Sequence, residues 1–194
     1  MQPGDNPGSP LGDYLREIHS EPAFRKWCES VGSLAQAWEL CDRADWMLHL
    51  LENSGQPEPE GLRRFCGRTF ERFHKYLPDA SRVVVLAAVA DGMDSFQTDG
   101  SPSDPSFTAS ARATLEAAAS MTQTVGNWTP ARVILIGLAA LHDDPMAAAR
   151  GVSEQAGMAA QYIQEFPTAT DWPDEMAMQA ALIREIFGNP FEKF

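Results

Sequence analysis

The chain has little cysteine, little positive charge and no long apolar run, and each shortage removes a class of protein. There are three cysteines, Cys28, Cys41 and Cys66, an odd number with no C-x-x-C pair. Each sits among apolar residues at helical spacing, so they read as buried thiols and not as a disulfide frame or a zinc site. The longest apolar run, 133–141, is about half of the ~20 residues that a transmembrane helix needs. The first twelve residues, MQPGDNPGSPLG, lack the basic start and apolar stretch of a signal peptide and read as a disordered lead-in. The expectation is a cytoplasmic protein without a membrane span, in which the sequon at Asn127-Trp128-Thr129 has no role. Also missing are G-x-x-x-x-G-K, G-x-G-x-x-G and G-x-S-x-G, so nucleotide, dinucleotide and serine-hydrolase readings lose their main support.

Positive charge is scarce and unevenly placed. Against 27 acidic groups stand 15 lysines and arginines, a formal net charge of -12. Residues 1–60 carry -7, residues 61–80 carry +3 and residues 81–194 carry -8. Such a field repels nucleic acid and anionic lipid and steers basic partners toward the surface. Hydrophobic residues make up 44% of the chain and charged residues 22%, enough for one core of ordinary size.

What is present is helical period, almost throughout, with no convincing alternation of period two. The fold class is all-α: one domain over 13–194, a bundle of seven to nine helices, with alanine-rich neighbours that hint at a helical-hairpin repeat. A first stretch runs over 13–31 with a break at Ser20-Glu21-Pro22, closed by Gly32. From Ser33 onward Leu34, Trp38 and Cys41 mark one face and Trp46, Met47, Leu50 and Leu51 another. Asp42, Arg43 and Asp45 between them suit either a turn with a capping aspartate or the outer side of one bent helix. A loop at 53–59 is followed by the most legible helix, 60–77, with Leu62, Phe65, Cys66, Thr69, Phe73 and Leu77 on one side. On another side Arg64, Arg68 and Arg72 recur every four residues, with Lys75 close by.

Residues 81–96 hold three consecutive valines but keep helical period at Val85, Ala88, Val89, Met93 and Phe96, so a helix is expected there. The loop 97–106 is the longest inside the chain and the expected flexible point. Helices at 108–123, 130–141 and 145–165 are crowded with alanine and should form a tight inner bundle. A last helix from 173 or 174 ends at Phe187, before Gly188-Asn189-Pro190.

No catalytic constellation stands above chance. His142-Asp143 could belong to a metal phosphohydrolase with His74 and Asp171, but His142-Asp143-Asp144-Pro145 reads better as a helix end and a capping aspartate. Arg68 to His74 and Arg43 to His49 have the spacing of helical HEPN-type RNases. With 12 arginines and 4 histidines, chance alone gives roughly 0.7 such pairs. Thr69 and Ala44 also stand where that motif carries Asn, Asp or His. No metal or cofactor is expected. The arginine row Arg64, Arg68 and Arg72 suits a solvated face paired with Glu60 and Glu71, a clamp on the acidic N-terminal region, or an anion site. Trp27, Trp38 and Trp46, within 20 residues, suit core packing or a binding surface.

The run AWELCDRADWML, 37–48, resembles the signature of bacterial helical immunity proteins of polymorphic-toxin systems: an Ala-Trp, a Cys, a charged turn, then Asp-Trp and an apolar helix. Ala37, Trp38, Cys41, Asp45 and Trp46 carry the match. LRRFCGRTFERF, 62–73, is similar to that group's next helix, and ALIREIFGNPF, 181–191, resembles the C-terminus of related planctomycete helical proteins. Members often carry Gly where this chain has Ala44, and their alanine repeats are more regular. The resemblance implies a non-enzymatic protein that binds and inhibits a toxin or effector, a basic one given the charge. The partner-facing residues expected are Trp38, Asp42, Asp45, Trp46, Arg64, Arg68 and Arg72. Alternatives are a regulatory or scaffolding subunit of a bacterial defence complex, and an RNase acting through Arg68 and His74.

Overall fold

Prolines and caps divide the chain into its helices. A computed structural model describes residues 10–192, apart from 19, 56, 98, 125, 127 and 164–171. Among these lie ten α-helices: α1 (Pro10–Glu17), α2 (Pro22–Val31), α3 (Leu34–Leu40), α4 (Ala44–Asn53), α5 (Pro59–Phe73), α6 (Asp79–Asp94), α7 (Pro105–Thr124), α8 (Trp128–Ala140), α9 (Pro145–Tyr162) and α10 (Trp172–Phe187). A 3₁₀ turn, His74–Tyr76, extends α5. The all-α class is as expected, and the count exceeds seven to nine because both breaks near the N-terminus are real. α1 also starts at Pro10, ahead of the expected Asp13. The rest of the lead-in, 1–9, lies outside the described residues, as do the sequon's Asn127 and the expected helix end at Glu165.

Local chemistry accounts for most boundaries. Pro22, Pro59 and Pro145 stand at first helical turns, where a missing N–H costs nothing. Ser33 Oγ accepts from the Gln36 N–H at the start of α3, and Asp144 accepts from Met146 and Ala147 N–H at the start of α9. The segment 142–145 is therefore the helix end and capping aspartate expected. Gly188, in the left-handed region at φ 63°, ends α10 with its N–H on the Arg184 carbonyl. The three valines of α6 are helical, with Val85 buried and Val83 and Val84 exposed.

One contiguous core runs from Leu15 to Phe191. α9 lies at its centre, packed on α8 and α5, with α10 and α4 on its remaining sides, while α6, α7 and α8 pack each on the next. Alanines 148, 149, 156, 159 and 160 on α9 are buried, so neighbouring axes approach closely. Gly137 on α8 shows one such close approach: a Cβ there would lie 2.7 Å from Val89 Cγ2 on α6. α7 departs from the expected inner bundle. Only its stripe of Thr108, Ala111, Leu115 and Ala119 is buried, and Phe107 and Met121 face outward. Much of the remaining surface of α7 is alanine and serine facing solvent.

The described residues of the loop after α6 carry their own hydrogen bonds. Gln97 N–H donates to Ser101 O, Ser103 N–H to Ser95 O, and the buried hydroxyls of Ser95 and Thr108 meet at 2.7 Å. Arg63 of α5 fixes it from below. This arginine, only 6% exposed, donates to Ala140 O at 2.8 Å, Asp143 O at 2.9 Å and Gly100 O at 3.2 Å, with its guanidinium 3.5 Å above the Phe96 ring. A buried cation held by carbonyls at the C-terminal end of α8 exploits the negative pole of that helix. All three cysteines are free and buried, and burial pushes Cys28 and Cys66 up to about 12 and Cys41 to about 11. No helix among the described residues is long and apolar enough to cross a membrane.

Candidate functional site

The two most distinctive sequence segments, 37–48 and 186–191, lie against each other. The Trp38 ring meets Phe191 edge-on at 5.9 Å, and Arg184 of α10 donates to the carbonyls of Trp38 at 3.2 Å and Cys41 at 2.6 Å. Asn189 Nδ2 donates to Ala35 O at 3.2 Å and to Glu39 Oε1 at 2.9 Å. The carbonyls at the end of α3, which lack helical partners, are thereby satisfied from the far end of the chain. Trp38 is fully buried, so the expectation that it meets a partner is corrected: its ring is core.

Trp46, one helix later, belongs to a wall. α2 contributes Phe24 and Trp27, α4 contributes Trp46 and His49, and the rings pack with Phe24–Trp46 centroids 5.0 Å and Trp27–Trp46 centroids 5.6 Å apart. His49 stands edge-on to Phe24. Opposite this wall, Trp172 and Met176 of α10 close a cleft of about 450 Å³, with Arg150, Ser153 and Glu154 from α9. Trp172 reaches its place because α9 carries Gly157 beneath it, where a Cβ would lie 2.7 Å from the indole.

The rim of this cleft is acidic. Glu21, Asp45 and Glu154 line it against one cation, Arg150, which pairs with Glu52 outside the lining. Asp45 is held by Arg43, whose Nε and Nη2 reach its two oxygens at 2.9 and 2.5 Å while the guanidinium lies 4.6 Å from the Trp46 ring centre. That hydrogen bond and charge hold Arg43 above its ordinary pKa. Asp42 is exposed beside this group but does not line the cleft, and it is not the cap of α4, which Arg43 occupies. Three lining residues carry a buried polar atom that finds no partner: Trp46 Nε1, His49 Nε2 and Ser153 Oγ. Ser153 is 3% exposed. Buried polar groups are nearly always paired, and among the described residues five more such atoms lie away from this cleft.

The basic row of α5 makes a different arrangement from any expected. Arg68 and Arg72 pair with acids of α10, with Glu71 beside them in the same groove. Arg72 forms a two-pronged pair with Glu175, at 2.5 and 3.2 Å, and Gln179 Nε2 adds a hydrogen bond to the same carboxylate at 2.8 Å. Glu175 is fully buried, and that burial pushes its carboxyl above the ordinary range, with Arg72 and Gln179 pulling back part of the way. Arg68 pairs with Glu185 at the surface and holds that carboxyl below the ordinary range. Arg64 is exposed one turn earlier. Arg68, Arg72, Met178 and Leu182 line a shallow open groove whose charges are mostly matched.

The remaining candidates do not assemble. Six residues on a helix place Arg68 and His74 about 120° apart round the axis, and the two are engaged elsewhere, with Glu185 and with the Glu71 carbonyl. Arg43 is committed to Asp45. His142 Nδ1 accepts from the Asp144 N–H, and Asp171 lies outside the described residues. Among the described residues no group of three or more His, Cys, Asp or Glu side chains is placed to hold a metal ion.

The residues that sequence reading missed are Glu21, Glu154 and Trp172 in the cleft, and Arg63 and Arg184 in the frame. Compared with protein-family models, with curated proteins and with solved structures, the chain has no match.

Proposed function

We propose that this protein is a non-enzymatic helical binding protein that captures and inactivates a basic protein partner, in the manner of an immunity protein toward a toxin or effector. The observation that carries the reading is the acid-rimmed aromatic cleft formed by α2, α4, α9 and α10. Aromatic side chains in a partly enclosed site supply large contact area at small entropic cost, which is why they dominate binding hot spots. The acidic rim lies within a molecule of net charge -12, so a basic partner is drawn in at long range and oriented at short range. Asp45 and Trp46 keep the partner-facing role expected of them from the sequence. Trp38 supports them from the core.

A tagged pull-down from the native host, followed by mass spectrometry and an activity assay on the captured protein, tests this. The expected result is a stoichiometric basic partner whose activity falls on binding, with association that slows steeply as salt is raised. A bound partner that stays active would replace inhibition with scaffolding in a defence complex. Association indifferent to salt and to reversal of the rim charges would remove the electrostatic reading.

A further inference from the structure

We propose that the cleft is a receptor for a single arginine side chain of the protein partner, with the guanidinium held by Glu21 and Glu154 above the Trp46 and Trp172 rings. The inference deepens the proposed function and rests on it for the identity of the arginine's owner.

Glu21 precedes α2, Glu154 lies on α9, and both are exposed carboxylates that make no ion pair among the described residues. Arg150 and Asp45, the other charged groups of the lining, are each already paired. The cleft therefore presents two exposed carboxylates over an aromatic floor, with Arg43 close enough to feel the charge of Glu21 but bonded to Asp45. A planar, weakly hydrated cation satisfies both features, because guanidinium stacks on indole faces and bridges carboxylates with its fixed fork. A lysine ammonium, compact and strongly hydrated, gains less from the rings.

The chain itself supplies the precedent. Arg43 forks onto Asp45 and lies over Trp46, so one arginine is already held at this wall by a carboxylate and an indole. The unpartnered atoms fit the same occupant. His49 Nε2 and Ser153 Oγ can accept from guanidinium N–H groups, and Trp46 Nε1 can donate to the peptide carbonyl of the arginine. Each is shielded from water, so a small turn of the side chains accompanies entry. At about 450 Å³ the cleft holds one such side chain with its flanking peptide groups.

The test is a titration of the full chain with N-acetyl-arginine amide, followed by tryptophan fluorescence, beside the lysine and glutamine analogues. Saturable binding of the arginine compound is expected, weaker for lysine and absent for glutamine. The double variant E21Q/E154Q, at exposed positions, should keep the thermal midpoint and lose about tenfold or more in affinity, the size of one lost charge-assisted hydrogen bond. The exposed Glu116→Gln variant serves as the distant control. No saturable response to the arginine compound, equal binding of arginine and glutamine compounds, or undiminished binding by E21Q/E154Q would each overturn the proposal. Failure of the two readings is distinguishable. Arginine binding without any inhibited partner would leave the receptor standing and remove the inhibitor function. A partner inhibited equally by E21Q/E154Q would do the reverse.

Discussion

Replacing Arg63 should remove a large share of the stability of this fold, and the reason is the carbonyls it serves more than its charge. Three main-chain oxygens, of Ala140, Asp143 and Gly100, accept from one guanidinium. Ala140 and Gly100 are buried, so in Arg63→Met two acceptors lose their donor with no water to replace it. At about 1–3 kcal/mol for each buried group left unsatisfied, and with some relief from no longer burying a cation, the net loss is about 3 kcal/mol. Arg63→Ala adds a cavity and loses the stacking on Phe96, for about 4–5 kcal/mol. Arg63→Lys, whose ammonium cannot span the same three oxygens, should fall near 2 kcal/mol. Against the 5–15 kcal/mol typical of a domain, these are large effects. Urea unfolding followed by far-UV circular dichroism reads them: at a slope of about 2 kcal/mol/M, the methionine variant shifts the midpoint by about 1.5 M. Amide exchange in the loop 99–104 should accelerate alongside. A methionine variant within about 0.3 M of the parent would refute the argument that carbonyl satisfaction is what Arg63 supplies.

Arg72→Ala should behave differently with pH, because it strands the Glu175 carboxylate in the core and costs about 3–5 kcal/mol near neutrality. A folded carboxyl pKa raised above its unfolded value binds extra protons in the fold, so the penalty is full above the folded pKa and shrinks as pH falls toward about 4.3. Unfolding measured near pH 7 and near pH 5, relative to the parent, checks this, and E175Q in the same background should restore much of the loss; a pH-independent penalty contradicts it. Gly137→Ala should lose about 1–3 kcal/mol by driving a methyl group against Val89, and Val89→Ala should recover part of it in a double-mutant cycle; additivity of the two losses would rule out that contact as the cause. With thiols pushed to about 11 or 12, Cys28, Cys41 and Cys66 should resist alkylation at pH 8 until the chain is unfolded in urea. Any one of them modified in native protein at the rate of a model peptide would contradict its placement.

Most of the fold is legible in the sequence because its helix ends are local. Pro22, Pro59 and Pro145, the Ser33 and Asp144 caps and the Gly188 stop act within a few residues of themselves, and they mark their boundaries correctly. The break between α3 and α4 is not legible in that way. Cys41 turns to extended backbone, at ψ 123°, with no proline or glycine beside it. What satisfies the freed carbonyls is Arg184, more than 140 residues on. The arginine row was readable as one face of α5, but its partners Glu175 and Glu185 are 103 and 117 residues distant and carry no mark of that pairing. Trp38 and Trp46 were indistinguishable because the helix break between them cancels any common phase. The cleft was half visible: Asp45 and Trp46 lie in the conspicuous motif, whereas Glu21, Glu154 and Trp172 come from three other places and meet only in the folded chain.

The clasp between Arg184, Asn189, Phe191 and the end of α3 bears on the order in which a ribosome can deliver this protein. Trp38 lacks its cover until Phe191 has been made, so α3 leaves the ribosome with an apolar side unmatched and must wait for α10. Native pairing of α3 with residues 184–191 is a late, non-local event, slow by the same loop-closure entropy that delays distant contacts in any fold. A nascent chain stalled before α10 should therefore expose Trp38 and attract chaperones, while one released just beyond Phe191 should not. A stop codon ahead of α10 would act far upstream, loosening α3 and α4 and, with them, the wall that carries Trp46.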